Sequence, residues 1–358
     1  MFVSFLASAA LGLAAAPDAP GAIAEALIET TGSPGAAVAR SCAGALEQGV
    51  AGHRIAGGDA AVQPGDLWHM GSNTKAMTAT LAARLVEQGV ISWDATIGRS
   101  LSGLDLDIDE ALRSATLEAL LAHRAGLKPN AGLITALRLR GPDADRDPQA
   151  DRLVYARAVL GEAGGPQDDY RYSNAGYVIA AMMMEQAAGA PYEALMAREV
   201  FEPLGLESAG WGPPGEPGRA DQPRGHGSGP FGGLDAREPG SGADNPPAMN
   251  PAGRAHMSLA DLLEFLTVHR DQPEDYLGAA SWTRLHTPPQ EGNYALGWGV
   301  REDGSLVHAG SNTLWFARML IDADSGCALA VAVNDGRIDQ VSGPVNNALE
   351  ALADREEH

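Results

Sequence analysis

The sequence predicts an α+β fold, with one sheet assembled from strands at the two ends of the chain and a mainly helical part inserted between them. Three observations predict it. Short Ala- and Val-rich runs with glycine at their turns lie at residues 36–41 and 49–55. Strand-like runs recur at residues 305–309, 314–321 and 327–333. Between them, helical patterns occupy residues 76–88, 117–127, 151–160, 178–188, 191–204 and 258–269. The α/β part then comprises residues 17–68 and 295–358, and the helical part residues 69–294.

In chain order, residues 1–16 are apolar and end on Ala14, Ala15 and Ala16, the small-residue pattern of a signal-peptidase site. They are expected to be a signal peptide, which would make the protein periplasmic or secreted. The segment is too short to span a bilayer, and no later run reaches ~18 apolar residues, so no stable membrane domain is expected. Residues 23–30 read as a short helix ending at Gly32, ahead of the hairpin at 36–55. The helix at 76–88 carries a stripe of Met77, Leu81 and Leu85 and stops at Gly89. A polar-aromatic turn, Tyr170 to Tyr177, leads into 178–188, where Met182, Met183 and Met184 read as core filler. Residues 212–254 contain 11 Gly and 9 Pro in 43 positions, which no helix or long strand survives. A loop of that length between two helices is expected to cover a pocket. Ser258 caps the next helix, whose stripe is Leu259, Leu262, Leu263 and Leu266, and residues 339–353 close the chain as a helix.

Composition excludes several classes. With 45% apolar and 20% charged residues the 358-residue chain is globular, and a net charge of −21 opposes binding to nucleic acid or anionic membranes. Cys42 and Cys327 are the only cysteines and cannot build a zinc cage. No metal or cofactor is expected.

Ser72 and Lys75 stand at the head of the 76–88 helix. Three residues apart, they share one helix face. A serine hydroxyl needs a nearby base before it can attack, and a helix N-terminus favours an alkoxide while resisting a charged lysine. A capping serine beside a solvated lysine is the plain alternative. Tyr172 with Asn174, and His308, read equally well as a satisfied polar turn and a solvated strand residue. His123 and His226 are read as structural.

The order of Ser72-Asn73-Thr74-Lys75, Tyr172-Ser173-Asn174 and His308-Ala309-Gly310 alters that balance. With Leu120 to Leu127, Phe201 to Leu206 and Asn250-Pro251-Ala252-Gly253, they resemble the penicillin-recognising serine hydrolases. The match is to the branch of class C β-lactamases, D-alanyl-D-alanine carboxypeptidases, esterases and D-aminopeptidases, and covers about residues 36–353. The resemblance implies a β-lactamase/transpeptidase-like fold with an antiparallel sheet. It implies that Ser72 is acylated, that Lys75 and Tyr172 handle protons, and that Asn174 orients Lys75 and holds the substrate amide. The backbone N–H groups of Ser72 and Ser311 would form the oxyanion hole, with Gly310 allowing close approach. Lys75 and Tyr172 sharing a dry site are expected to lower one another's pKa when one is cationic, and either is a candidate first base. In this fold the first strand lies beside the last, which implies a Cys42–Cys327 disulfide.

The third motif departs from the Lys-Thr-Gly of β-lactamases. A neutral histidine and Ala309 offer little to a carboxylate, so hydrolysis of a small ester, amide or peptide is expected over β-lactam turnover. A class C-like β-lactamase or D-Ala-D-Ala carboxypeptidase is the nearest alternative. A non-catalytic cell-wall peptide-binding protein is the alternative of another class.

Overall fold

The computed structural model describes residues 19–139, 147–229 and 232–353. The expected signal segment, residues 1–16, lies outside them.

Strands from both ends of the chain pair antiparallel in one sheet. Near the start are β1 (Gly35–Cys42) and β2 (Ala45–Gly52), and near the end β3 (Gly299–Val300), β4 (Leu306–Ser311), β5 (Phe316–Ile321) and β6 (Ala328–Val333). Their order is β2-β1-β6-β5-β4-β3. The register sets Ala36 opposite Val333 and Ser41 opposite Ala328, which places Cys42 beside Cys327, and the two are disulfide-bonded.

Every residue of β1 and β6 is buried, so both faces of the sheet are covered. On the outer face Val38, Leu329, Val331 and Val333 pack against helices α1 (Pro20–Thr31) and, at the chain's end, Ile338–Ala353. On the inner face the alternating positions are Ala37, Ala39, Ala328, Ala330 and Ala332. These small side chains let the helix Leu259–Asp271 lie directly on the strands.

At the centre of the helical part is α2 (Thr74–Glu87), with Thr74 through Ala83 and Leu85 all buried. A helix buried all round is surrounded by neighbours rather than laid on a surface. One of them is α3 (Asn174–Ala188), buried from Ala175 to Glu185, with Met182, Met183 and Met184 in the core.

Several elements differ from expectation. The helix expected at 191–204 is a short α-helix, Tyr192–Met196, continued by a π-helical turn, Ala197–Phe201. The Gly- and Pro-rich stretch contains a small hairpin, His226–Ser228 with Leu234–Ala236, and a helical turn, Asn250–Gly253. The sequence pattern did not reveal the helix Ala279–His286. Nor did it reveal a second sheet of Trp68–His69, Ala255–Met257 and Gly210–Trp211, whose strands are too short to show a period. That small sheet ties the residues just before Ser72 to the end of the Gly- and Pro-rich stretch.

Candidate active site

Ser72 lies not at an α-helix cap but inside a 3₁₀ turn, Gly71–Asn73, that runs into α2. No side chain caps either helix, so the Ser72 hydroxyl is not spent on capping. The turn is held from three sides. Met70 N donates to Ala255 O at 2.8 Å, Thr74 Oγ1 to Gly71 O at 2.7 Å, and Asn73 Nδ2 to Ala317 O at 3.2 Å.

Lys75 has no exposed surface. Its Nζ is 3.2 Å from Ser72 Oγ, 2.7 Å from Asn174 Oδ1 and 2.5 Å from the carbonyl oxygen of Ala252. Burial drives its pKa well below the ordinary lysine value. A neutral amine has two N–H groups for the two carbonyls and a lone pair for the Ser72 hydroxyl, which matches its three partners.

Tyr172 completes the group. Its ring lies 4.8 Å from Lys75 Nζ, and its hydroxyl hydrogen-bonds the Ser72 side chain. Burial raises its pKa, outweighing the lowering by the Ser72 hydrogen bond. This corrects the expected mutual lowering. Burial disfavours the charged form of each group, so the amine goes down and the phenol goes up. His123 brackets Tyr172: its carbonyl accepts from Arg171 N at 2.8 Å and its Nδ1 from Ser173 N at 3.0 Å. Ser173 then caps α3, accepting from Gly176 N, and so presents Asn174 to Lys75. Asn174 Nδ2 donates to Asn130 Oδ1 at 2.9 Å.

The end of β4 arrives from the other side, and two glycines allow it. A Cβ on Gly310 would sit 2.0 Å from Met70 O and 2.6 Å from Ser72 N. A Cβ on Gly71, whose φ of 50° already favours glycine, would sit 2.3 Å from Ser311 N. The backbones of the Ser72 turn and the strand end are therefore in contact, with the amides of Ser72 and Ser311 on the two sides of that contact.

His308 is buried and neutral. Its Nδ1–H donates to Ala309 O at 2.9 Å, and Tyr294 donates its hydroxyl to Nε2 at 3.0 Å. Burial first, then the nearby Lys75, lower its pKa to about 3. His226 is satisfied by backbone on both ring nitrogens, Nδ1 giving to Asn334 O and Nε2 accepting from Ala56 N. It lies outside the site.

A cleft of about 310 Å³ opens beside the group, lined by Asn130, Tyr155, Asn174, Asn245, Met249 and Ser311 among others, and none of the described lining residues is charged. Asn245, Pro246 and Met249 come from the Gly- and Pro-rich stretch, which walls one side. Sequence reasoning missed the Ala252 carbonyl, the buried Asp244 and His69. Only the Asn250 to Gly253 motif pointed near the first, because a carbonyl's role leaves no mark on residue type. Among the described residues no cluster of His, Cys, Asp and Glu is placed to hold a metal ion.

A family model described as Beta-lactamase matches residues 22–353. Penicillin-binding protein 4 of Amycolatopsis lactamdurans is 28% identical over 327 residues, covering 85% of this chain and 81% of that protein. The octameric penicillin-binding protein homologue from Pyrococcus abyssi superposes with a TM-score of 0.73 at 21% identity, covering 92% of this chain and 75% of that one. The D-amino acid amidase from Ochrobactrum anthropi SV3, solved with L-phenylalanine amide, gives 0.72 at 23% identity, covering 92% and 96%. The chain belongs to the Beta-lactamase family and is a β-lactamase-related serine hydrolase.

Proposed function

We propose that the protein cleaves a small, uncharged ester or amide through an acyl-enzyme on Ser72. The observation that carries this reading is the fully buried Lys75 amine, held between the Ser72 hydroxyl and two carbonyl acceptors. Lys75 takes the Ser72 proton as Oγ attacks the substrate carbonyl carbon. The N–H groups of Ser72 and Ser311 stabilise the oxyanion. Tyr172, still protonated, gives its proton to the leaving group and is reprotonated from the Lys75 ammonium. Water then attacks the acyl carbonyl as Lys75 accepts its proton, the C–Oγ bond breaks, and the Lys75 ammonium returns that proton to Ser72 Oγ.

The uncharged described lining of the cleft and neutral His308 favour substrates without a carboxylate, against a dedicated β-lactamase or a carboxypeptidase. The likeness to a D-amino acid amidase makes amino acid amides a second class to assay. The Cys42–Cys327 disulfide supports export, since such bonds persist in oxidising compartments.

Turnover of p-nitrophenyl acetate, amino acid amides and nitrocefin, each with a Ser72→Ala control, tests the reading. Ester or amide turnover abolished by the substitution is expected, with kcat/KM for the ester about tenfold or more above nitrocefin. Faster nitrocefin turnover would replace the reading with a β-lactamase. No Ser72-dependent turnover and no fluorophosphonate labelling would favour a binding protein. Lys75 acts as a base only when neutral, so activity should be lost as pH falls through its depressed pKa. That acid limb lies well below the usual lysine value of about 10.4. Tyr172 stays protonated through the ordinary phenol range, so activity should persist there.

A further inference from the structure

One buried carboxylate beside the site takes no part in the proposed proton transfers. Asp244, in the stretch that walls the cleft, has a side chain with no exposed surface. Its Oδ2 accepts from His69 Nε2 at 2.8 Å and Arg254 Nε at 2.9 Å. Its Oδ1 accepts from Asn312 Nδ2 at 3.0 Å and Asn245 N at 2.8 Å. Each limb leads to the catalytic group. His69 Nδ1 accepts from Gly71 N at 3.1 Å, one residue before Ser72. Asn312 follows Ser311, and its Oδ1 accepts from Leu314 N and Trp315 N, which shapes the turn after β4. Arg254 also donates to Asn250 Oδ1 at 2.6 Å, at the start of the helical turn whose Ala252 carbonyl holds Lys75.

We propose that Asp244 is a positioning residue for the oxyanion pair, joining the turn that carries Ser72 N–H to the strand end that carries Ser311 N–H. The proposal rests on the acyl-enzyme reading above. Its chemistry requires a carboxylate. All four neighbours are donors, because His69 must keep Nδ1 free of a proton to accept from Gly71 and so carries its proton on Nε2. An asparagine at 244 has one acceptor atom and turns its NH₂ onto donors. If that NH₂ faces Asn312, an aspartate at 312 accepts from it and keeps one oxygen for Leu314 N and Trp315 N. It loses the bond from Asn312 Nδ2 to Ala243 O and leaves Asn245 N without its acceptor, so the pair restores only part of the network.

The test compares wild type, D244N, N312A and the D244N/N312D pair, with kcat counted per fluorophosphonate-titrated site. Phenylboronic acid serves as probe, because its tetrahedral adduct on Ser72 places an oxygen between the two amides. D244N is expected to lower kcat for p-nitrophenyl acetate by about 10- to 100-fold and raise the boronate Ki by a similar factor, with KM within about threefold. D244N/N312D is expected to recover about tenfold of that loss. A D244N enzyme with kcat within about threefold of wild type overturns the proposal. So does a fall in kcat with unchanged boronate Ki, which a merely structural role would give. If D244N fails to fold, N312A, which cuts one limb only, is held to the same kcat and Ki thresholds. Ser72→Ala separates the two readings: activity that survives it refutes the acyl-enzyme, whereas activity that it abolishes and D244N leaves intact refutes only the positioning role.

Discussion

The two sides of the sheet are built on opposite principles. Outside, Ile23, Leu27, Val38, Leu329, Val331, Val341, Val345 and Leu349 form a buried layer that is mainly apolar, with Arg40 and Arg318 on the same face of their strands. Inside, beyond the alanine-rich face, Lys75, His69, Asp244, Arg152 and Glu185 are equally buried and each is hydrogen-bonded, Arg152 to Glu185. An apolar layer is held by area and volume, so a substitution costs in proportion to what it removes. A buried polar group depends on specific partners, and losing one strands the others. The outer layer should therefore govern stability with little effect on chemistry, and the inner one chemistry first.

Four substitutions sharpen or break that contrast. Lys75→Met keeps an unbranched side chain but removes the amine; kcat should fall about 10³-fold or more, while calorimetry shows a smaller fall in melting temperature because Asn174 Oδ1 and Ala252 O lose their donor. Gly310→Ala comes next. Its Cβ would lie 2.0 Å from Met70 O, which forces the Ser311 amide away and should cost about 10²-fold in kcat. Leu349→Ala tests the outer layer. It should lower unfolding free energy in urea by about 2–5 kcal/mol while kcat per titrated site stays at the wild-type value. An equal fall in kcat there would erase the contrast. Smallest is Tyr294→Phe, which leaves His308 Nε2 without its donor and should reduce kcat/KM by less than about tenfold.

Local pattern explains why so much was legible. Helical spacing places Ser72 and Lys75 on one face, and the runs at 36–41 and 327–333 became β1 and β6, with adjacent ends at Cys42 and Cys327. What escaped were two- and three-residue strands such as Trp68–His69 and Ala255–Met257, since so few residues carry no period. Asp244 escaped for another reason. Nothing in a Gly- and Pro-rich stretch tells a solvated aspartate from one that four donors enclose.

By itself, then, the sequence determined which chemistry is available: a hydroxyl and an amine one helical turn apart, a phenol and an amide on a second turn, and a glycine at the end of a strand. The tertiary structure alone decided which way their proton affinities move. Burial lowers the Lys75 pKa because its helix is enclosed on every side, and the same enclosure raises that of Tyr172. Desolvation depends on neighbours far away in sequence. No local pattern encodes it.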